Sequence, residues 1–285
     1  MKIVKAEHMG FCFGVKKAIE RAEEILSHQE SQNIYMLGEL IHNPQVVNHF
    51  KKRGIKIVEK ISEVPDYKYL ITRAHGILLS QLELAKEHGI HLIDTTCPYV
   101  KKIHQLACNL KNNGYQIIIY GDKEHPEIKS LLSFINNNAM VIQDIKEISF
   151  QKLTGKIGLI SQTTKNNAMY NELVKYIIDN ASQLTELRMF KSICNATQLR
   201  QESTRKIAQY VDLMVVVGGK NSANTSRLAN ISKQKGVKTY HIENERQLNK
   251  NWFKGINLIG VTSGASTPDF VTENVIRKIK QYGFE

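Results

Sequence analysis

A pattern that occurs three times constrains this chain more than any other feature. A unit of about 90–95 residues repeats along the sequence, and each copy holds four strand-like runs separated by helical stretches. The first strands are KIVKAE at 2–7, HLIDTT at 91–96 and ELRMFKS at 186–192. Each leads into a cysteine, Cys12, Cys97 or Cys194, and each cysteine opens a helical stretch, with Pro98 suited to a first helical position. The second strands, IYMLG, YQIIIYG and DLMVVVGG, run into Gly38, Gly121 and Gly218. Four residues beyond these glycines stand His42, His125 and Ser222. The third strands are IKIVE, AMVIQD and KTYHIE. The fourth, YLITRAH, KIGLISQTT and NLIGVTSGAST, run into His75, Thr163 and Ser266.

Strands that alternate with helical patterns predict an α/β fold with mainly parallel sheets and crossover helices. Runs such as QIIIY and LMVVV are too continuously apolar for half-exposed strands and suit sheets covered on both faces. Ligands of such sheets bind beyond the carboxyl ends of the strands. All the repeated positions lie just past a strand end. Three similar lobes around a pseudo-threefold axis would therefore present one cysteine and two polar groups each to a central cavity. Strand-end loops are often polar in any case, so one column alone would carry little. Three columns that agree in three copies, one of them all cysteine, carry much more.

Three thiolates at helix starts suit a metal centre, because the helix N-terminus favours the thiolate. Soft sulfur ligands select zinc, copper or iron–sulfur clusters. A closed zinc site takes four ligands, whereas three cysteines among His, Ser and Thr groups resemble an open site. A four-iron cluster normally takes four cysteines. With three, one iron is left to bind substrate as a Lewis acid, and a cluster can pass electrons where zinc cannot. There is no CxxC, and four cysteines in a reducing compartment argue against a disulfide framework. Cys108 falls on the apolar stripe of its helix and reads as core packing.

The remaining groups are neutral or cationic donors: His42, His75, His125, Thr163, Ser222, Asn224 and Ser266. With helix N-termini they make an anion site, for which a diphosphate is the natural ligand. No P-loop or GxGxxG is present, so a nucleotide fold is not indicated. Glu127, two residues after His125, could donate a proton from a dry pocket. It could equally serve as a helix-start acid beside Pro126. Glu39 is a second candidate acid with less support. His8, His28, His49, His88, His91, His104 and His241 lie outside the pattern and read as ordinary surface or core residues.

The chain carries 39 Lys and Arg against 27 Asp and Glu, a net charge of +12. The lysines are scattered over helix faces without interleaved aromatics, so most belong to a solvated surface, and no nucleic-acid partner is expected. The excess still suits an anionic substrate and an acidic electron carrier. No run of about 18 apolar residues occurs, so no membrane span is expected. The N-terminal MKIVKAEHMGFCFG reads as strand and turn rather than a signal peptide, and a cytoplasmic location is expected.

The segments GFCFGVKKAI, LGELIHNPQVV, TRAHGI, DTTCPYVKK, GDKEHPE, SQTT, ICNATQLRQ, GGKNSANTSRL and GVTSGASTPD span residues 10 to 269. Together they closely resemble the 4-hydroxy-3-methylbut-2-enyl diphosphate reductase family. The resemblance implies one [4Fe-4S] cluster per chain, held by Cys12, Cys97 and Cys194 at the centre of three lobes, with one iron lacking a protein ligand. It implies substrate contacts from His42, His75, His125, Thr163, Ser222, Asn224 and Ser266. It makes Glu127 the proton donor, helped by Thr163. The implied reaction is reductive removal of the hydroxyl, giving isopentenyl and dimethylallyl diphosphates, with electrons from a carrier such as ferredoxin or flavodoxin. The expected lobes are 14–96, 97–193 and 194–285, with the N-terminal strand (1–13) joining the third. One departure stands out: where the family usually has a second serine, this chain has Ala223, which offers only its backbone N–H to the diphosphate. Two other readings compete. An iron–sulfur hydro-lyase would need no reductant, and a redox sensor that binds nucleic acid would show salt-sensitive binding and no turnover.

Overall fold

The computed structural model describes residues 1–149, 153 and 155–283. Residues 150–152 and 154, in the second expected lobe, and 284–285, ending the third, lie outside the described residues. The strands form three four-stranded sheets, parallel throughout. One sheet is built from β1 (Lys2–Lys5), β10 (Leu213–Val217), β11 (Lys238–Ile242) and β12 (Leu258–Ser263), in the order β1-β12-β10-β11. A second holds β2 (Ile34–Leu37), β3 (Lys56–Val58), β4 (Tyr69–Ile71) and β5 (His91–Ile93), in the order β3-β2-β4-β5. The last holds β6 (Gln116–Tyr120), β7 (Met140–Ile142), β8 (Lys156–Ser161) and β9 (Glu186–Met189), in the order β7-β6-β8-β9. Each sheet thus has the same plan. The second strand of a repeat is flanked by the third and the fourth, and the first strand of the following copy closes the edge, with β1 pairing β12 in parallel.

The chain packs as two compact units. One comprises Met1–Lys16, Ile41–Lys52 and Asn195–Glu285, and the other comprises Lys17–Leu40 and Arg53–Cys194. In the second unit, β6 shows why these sequences form sheets covered on both faces. Ile117 and Ile119 pack with Ile103, Ala107 and Leu110 of α4 (Pro98–Asn112) and with Ile128 and Leu131 of α5 (Pro126–Phe134). Ile118 and Tyr120 face the opposite way, onto Tyr170, Leu173 and Ile177 of α6 (Asn167–Asn180). Side chains on a strand alternate between faces, so a strand buried on both must be apolar at every position. Cys108 packs against the α4 side of this core, as its place on the helix stripe implied.

The first unit repeats the arrangement. Leu213, Val215 and Val217 of β10 face Val271, Val275, Ile276 and Ile279 of α9 (Asp269–Tyr282). On the other face, Met214 meets Ile207 of α7 (Asn195–Ile207), and Val216 meets Leu228 of α8 (Ala223–Gln234). Among the described residues no helix is long and apolar enough to cross a membrane.

Candidate active site

The repeat seen in sequence reappears as a repeat of hydrogen bonds. The N–H groups of Gly38, Gly121 and Gly218 donate to the last residues of the neighbouring third strands, Val58, Ile142 and Ile242, at 2.7, 2.9 and 2.8 Å. The cysteines are equally consistent. The N–H of Cys97 donates to Ala74, that of Cys194 to Thr163 and that of Cys12 to Ala265, at 2.9, 3.0 and 3.0 Å. Cys97 is the N-cap of α4. Cys12 directly precedes α1 (Phe13–His28), and Cys194 directly precedes α7. The N–H of Val15 in the first turn of α1 donates to Cys12 Sγ at 3.4 Å. All three cysteines are half-buried and outside any disulfide.

These contacts also correct the alignment of the third column. Thr163 corresponds to Ala74 and Ala265, one residue before His75 and Ser266. The polar residue that follows β8, in the last sheet, is therefore displaced by one position, which lets Thr163 turn to a different partner. Its N–H donates to Glu127 Oε1 at 2.7 Å and its Oγ1 donates to Glu127 Oε2 at 2.6 Å. Glu127 is 2% exposed. Burial pushes its carboxyl up to about 7, against the Thr163 bonds, which favour the ionised form. When the carboxyl holds its proton, it can donate to the Thr163 hydroxyl oxygen, so the pair can hold or pass a proton.

His125 is the N-cap of α5, and its Nδ1 accepts from the N–H of Glu127 at 3.1 Å. An acceptor Nδ1 places the proton of a neutral ring on Nε2. The His75 ring packs edge-on to His125, with centroids 5.6 Å apart. The second unit therefore brings together His75, His125, Glu127 and Thr163, and the N–H bonds of Cys97 to Ala74 and of Cys194 to Thr163 tie two of the cysteines to the same group of strand ends. Glu39 is half-buried.

The first unit gathers His42, Ser222, Asn224 and Ser266. Ser266 Oγ donates to the His42 carbonyl at 3.2 Å and lies 3.5 Å from Ser222 Oγ. Ser222 caps α8, and Ala223 is the first residue of that helix. A Cβ on Gly219 would sit 2.6 Å from the His42 carbonyl oxygen, so only glycine lets the two loops approach this closely. Asn224 is 4% exposed, yet neither its Oδ1 nor its Nδ2 has a hydrogen-bond partner. A buried polar atom left unsatisfied costs about 1–3 kcal/mol. Asn224 carries two such atoms on one amide at a helix start, and a polar ligand there would satisfy both.

The structure adds Asn43, which the repeat spacing missed. It is fully buried, and its Oδ1 caps α2 (Pro44–Lys52) by accepting from the N–H groups of Gln45 and Val46. Its Nδ2 has no partner. The loop after Gly38 is one residue longer than its two counterparts, so counting from the glycine selects His42 and skips the capping residue. An asparagine directly before a proline is the cap signal that would have found it.

Three cysteines outside any disulfide, each at a helix start with the same backbone bond, fit a thiolate-bound cluster as a donor set. Among the described residues no group of three or more His, Cys, Asp or Glu side chains is gathered closely enough to hold a metal ion, so the set is recognised by its repeated local geometry.

Residues 3–280 match the profile of a family described as LytB protein. The chain belongs to the LytB family. Among its curated relatives, the 4-hydroxy-3-methylbut-2-enyl diphosphate reductase of Aquifex aeolicus is 40% identical, covering 98% of this chain and 96% of that protein. The enzyme of the same name from Helicobacter pylori strain Shi470 is 42% identical over 98% of this chain and 99% of its own length. Two solved structures of LytB relatives agree. A (E)-4-hydroxy-3-methyl-but-2-enyl diphosphate reductase, described as the terminal enzyme of the non-mevalonate pathway, is 40% identical with a TM-score of 0.70, covering 98% of this chain and 99% of that one. The E-1-hydroxy-2-methyl-but-2-enyl-4-diphosphate reductase of Plasmodium falciparum is 30% identical with a TM-score of 0.89, covering 96% of this chain and 86% of that one.

Proposed function

We propose that this chain reduces 4-hydroxy-3-methylbut-2-enyl diphosphate to isopentenyl and dimethylallyl diphosphates, taking up two electrons and two protons and releasing water. This would be the last step of the non-mevalonate route. The observation that carries the reading is the buried Glu127 carboxyl, held by Thr163 with a proton affinity near neutrality. A group of that kind suits protonation of a departing hydroxyl.

Each repeat has a part in this reading. Ser222, Asn224, Ser266, His42 and the backbone N–H of Ala223 bind the diphosphate, supported by the unsatisfied Asn224 amide and the helix start of α8. Anchoring the substrate by its diphosphate is catalysis by positioning. His75 and His125 add further substrate contacts, with His125 presenting its Nε2 proton. Glu127 delivers a proton to the leaving oxygen, and Thr163 holds the carboxyl in place and relays the replacement. A [4Fe-4S] cluster on Cys12, Cys97 and Cys194, with one iron lacking a protein ligand, would supply the electrons and a Lewis acid for the hydroxyl oxygen. The net charge of +12 supports an acidic electron carrier such as ferredoxin or flavodoxin, and a cytoplasmic setting suits free thiols.

The test is Glu127→Gln, reconstituted anaerobically and assayed with the diphosphate and a strong reductant. Turnover should fall by about 10²–10⁴ while iron content and the cluster spectrum stay unchanged. Retention of most of the activity would show that Glu127 is not the acid.

A further inference from the structure

Arg200 is buried, on the inner face of α7. Its side chain runs back toward the start of the helix, as helical side chains do. There Nη1 donates to the Ala196 carbonyl at 2.8 Å and Nη2 donates to the Gly10 carbonyl at 2.6 Å. The guanidinium therefore bridges the first turn of α7 and the loop two residues before Cys12.

That loop is pinned along its length. Ser203, also on α7, donates through Oγ to the His8 carbonyl at 3.2 Å. The N–H of Gly10 donates to Ser263 Oγ at 2.8 Å, and the N–H of Cys12 donates to Ala265 at 3.0 Å. Gly10 sits at φ +74°, and a Cβ there would lie 2.3 Å from Asp269 Oδ1, so the turn admits only glycine. Two of the four contacts come from α7, the helix that starts at the residue after Cys194. The planar fork of arginine reaches the two carbonyls from two separate nitrogens in a fixed geometry, whereas an ammonium would have to serve both from one atom.

We propose that Arg200 is a positioning residue for the iron–sulfur site. It ties the loop that carries Cys12 to the first turn of the helix that follows Cys194, and so sets the direction in which the Cys12 thiolate points. This rests on the reading of Cys12 as a cluster ligand. It goes beyond that reading by making the ligand geometry depend on a side chain that touches neither cluster nor substrate.

The experiment is alkylation of the reduced, cluster-free full-length protein with iodoacetamide, with each cysteine followed by peptide mass spectrometry. In Arg200→Lys and Arg200→Met, Cys12 should react faster by about fivefold or more, the factor that a modest loosening of one loop produces. Cys97, in the other unit, should keep its rate. Ser263→Ala, which frees the same loop from its other side, should accelerate Cys12 in the same direction. After reconstitution, Arg200→Lys should bind iron but show altered paramagnetic resonance of the reduced cluster. An unchanged Cys12 rate in the Lys variant, or Cys12 and Cys97 accelerating together, would overturn the proposal. If Arg200→Met does not fold, the Lys variant decides alone. In the unsubstituted enzyme, failure of the reconstituted cluster to protect Cys12 would overturn the ligand reading itself, independently of Arg200.

Discussion

Glu127 holds a proton in the folded protein at a pH where the unfolded chain has released it. Its folded value is about 7 against an unperturbed 4.5. The stability tied to this proton is fully present below about pH 4.5 and is lost as the pH rises through about 7, a change of about 3 kcal/mol. Urea unfolding of the native chain and of Glu127→Gln between these limits isolates it. The native chain should lose stability relative to the variant as pH rises, and two parallel curves would contradict the assignment. Ala223 supports a second expectation at this scale. Its N–H lies at the start of α8, but it lacks the hydroxyl that the resemblance leads one to expect. A hydrogen bond to a charged group contributes about 1.5–3 kcal/mol. Ala223→Ser should therefore lower KM for the diphosphate by about tenfold or more with kcat little changed, and an unchanged KM would show that another donor compensates. The cysteines and the polar groups of the two other repeat columns stood out as candidates because each lies just past a strand end, whereas Glu127, Ala223 and Asn224 fall outside those columns. Asn43 was not legible, because one extra residue in its loop breaks the interval. Nor was the turn of Thr163 toward Glu127, since a displacement of one residue leaves no mark in composition.

At the scale of elements, the apolar runs announced their own burial. QIIIY and LMVVV are buried at nearly every position, and their alternate residues serve opposite faces. Ile118 is fully buried against the α6 side of its sheet. Ile118→Ala should cost about 2–5 kcal/mol in urea unfolding, and a loss below about 1 kcal/mol would mean that the sheet face repacks around the cavity. Strand ends were less legible. The run HLIDTT looks extended throughout, but β5 stops at Ile93. Asp94 Oδ1 accepts from the N–H of Thr96, and Thr95 donates twice to Thr72, its N–H to Oγ1 and its hydroxyl to the carbonyl. Side-chain bonds replace the ladder there and turn the chain into Cys97. Short polar side chains compete with sheet in this way, and which partner they find depends on the neighbouring strand.

The whole molecule shows what repetition can and cannot reveal. The three sheets and their common strand order follow from the repeat, as does the placement of a cysteine at the start of one helix in each copy. The grouping into two compact units does not follow, because the segment Ile41–Lys52 packs with Asn195–Glu285 although the strands on either side of it belong to the other unit. That grouping is driven by contacts such as Ser266 Oγ to the His42 carbonyl and Gln45 Nε2 to the Glu243 carbonyl, which join residues far apart in sequence. The central claim is that three cysteines hold a cluster that removes one hydroxyl by reduction. Its most direct test is anaerobic reconstitution with iron and sulfide, followed by an assay of 4-hydroxy-3-methylbut-2-enyl diphosphate with and without a strong reductant. The account predicts both C5 diphosphates only when iron and reductant are present, and none after replacement of Cys12, Cys97 or Cys194 by serine. Conversion without reductant, or full activity in a zinc-loaded protein free of iron, would contradict it.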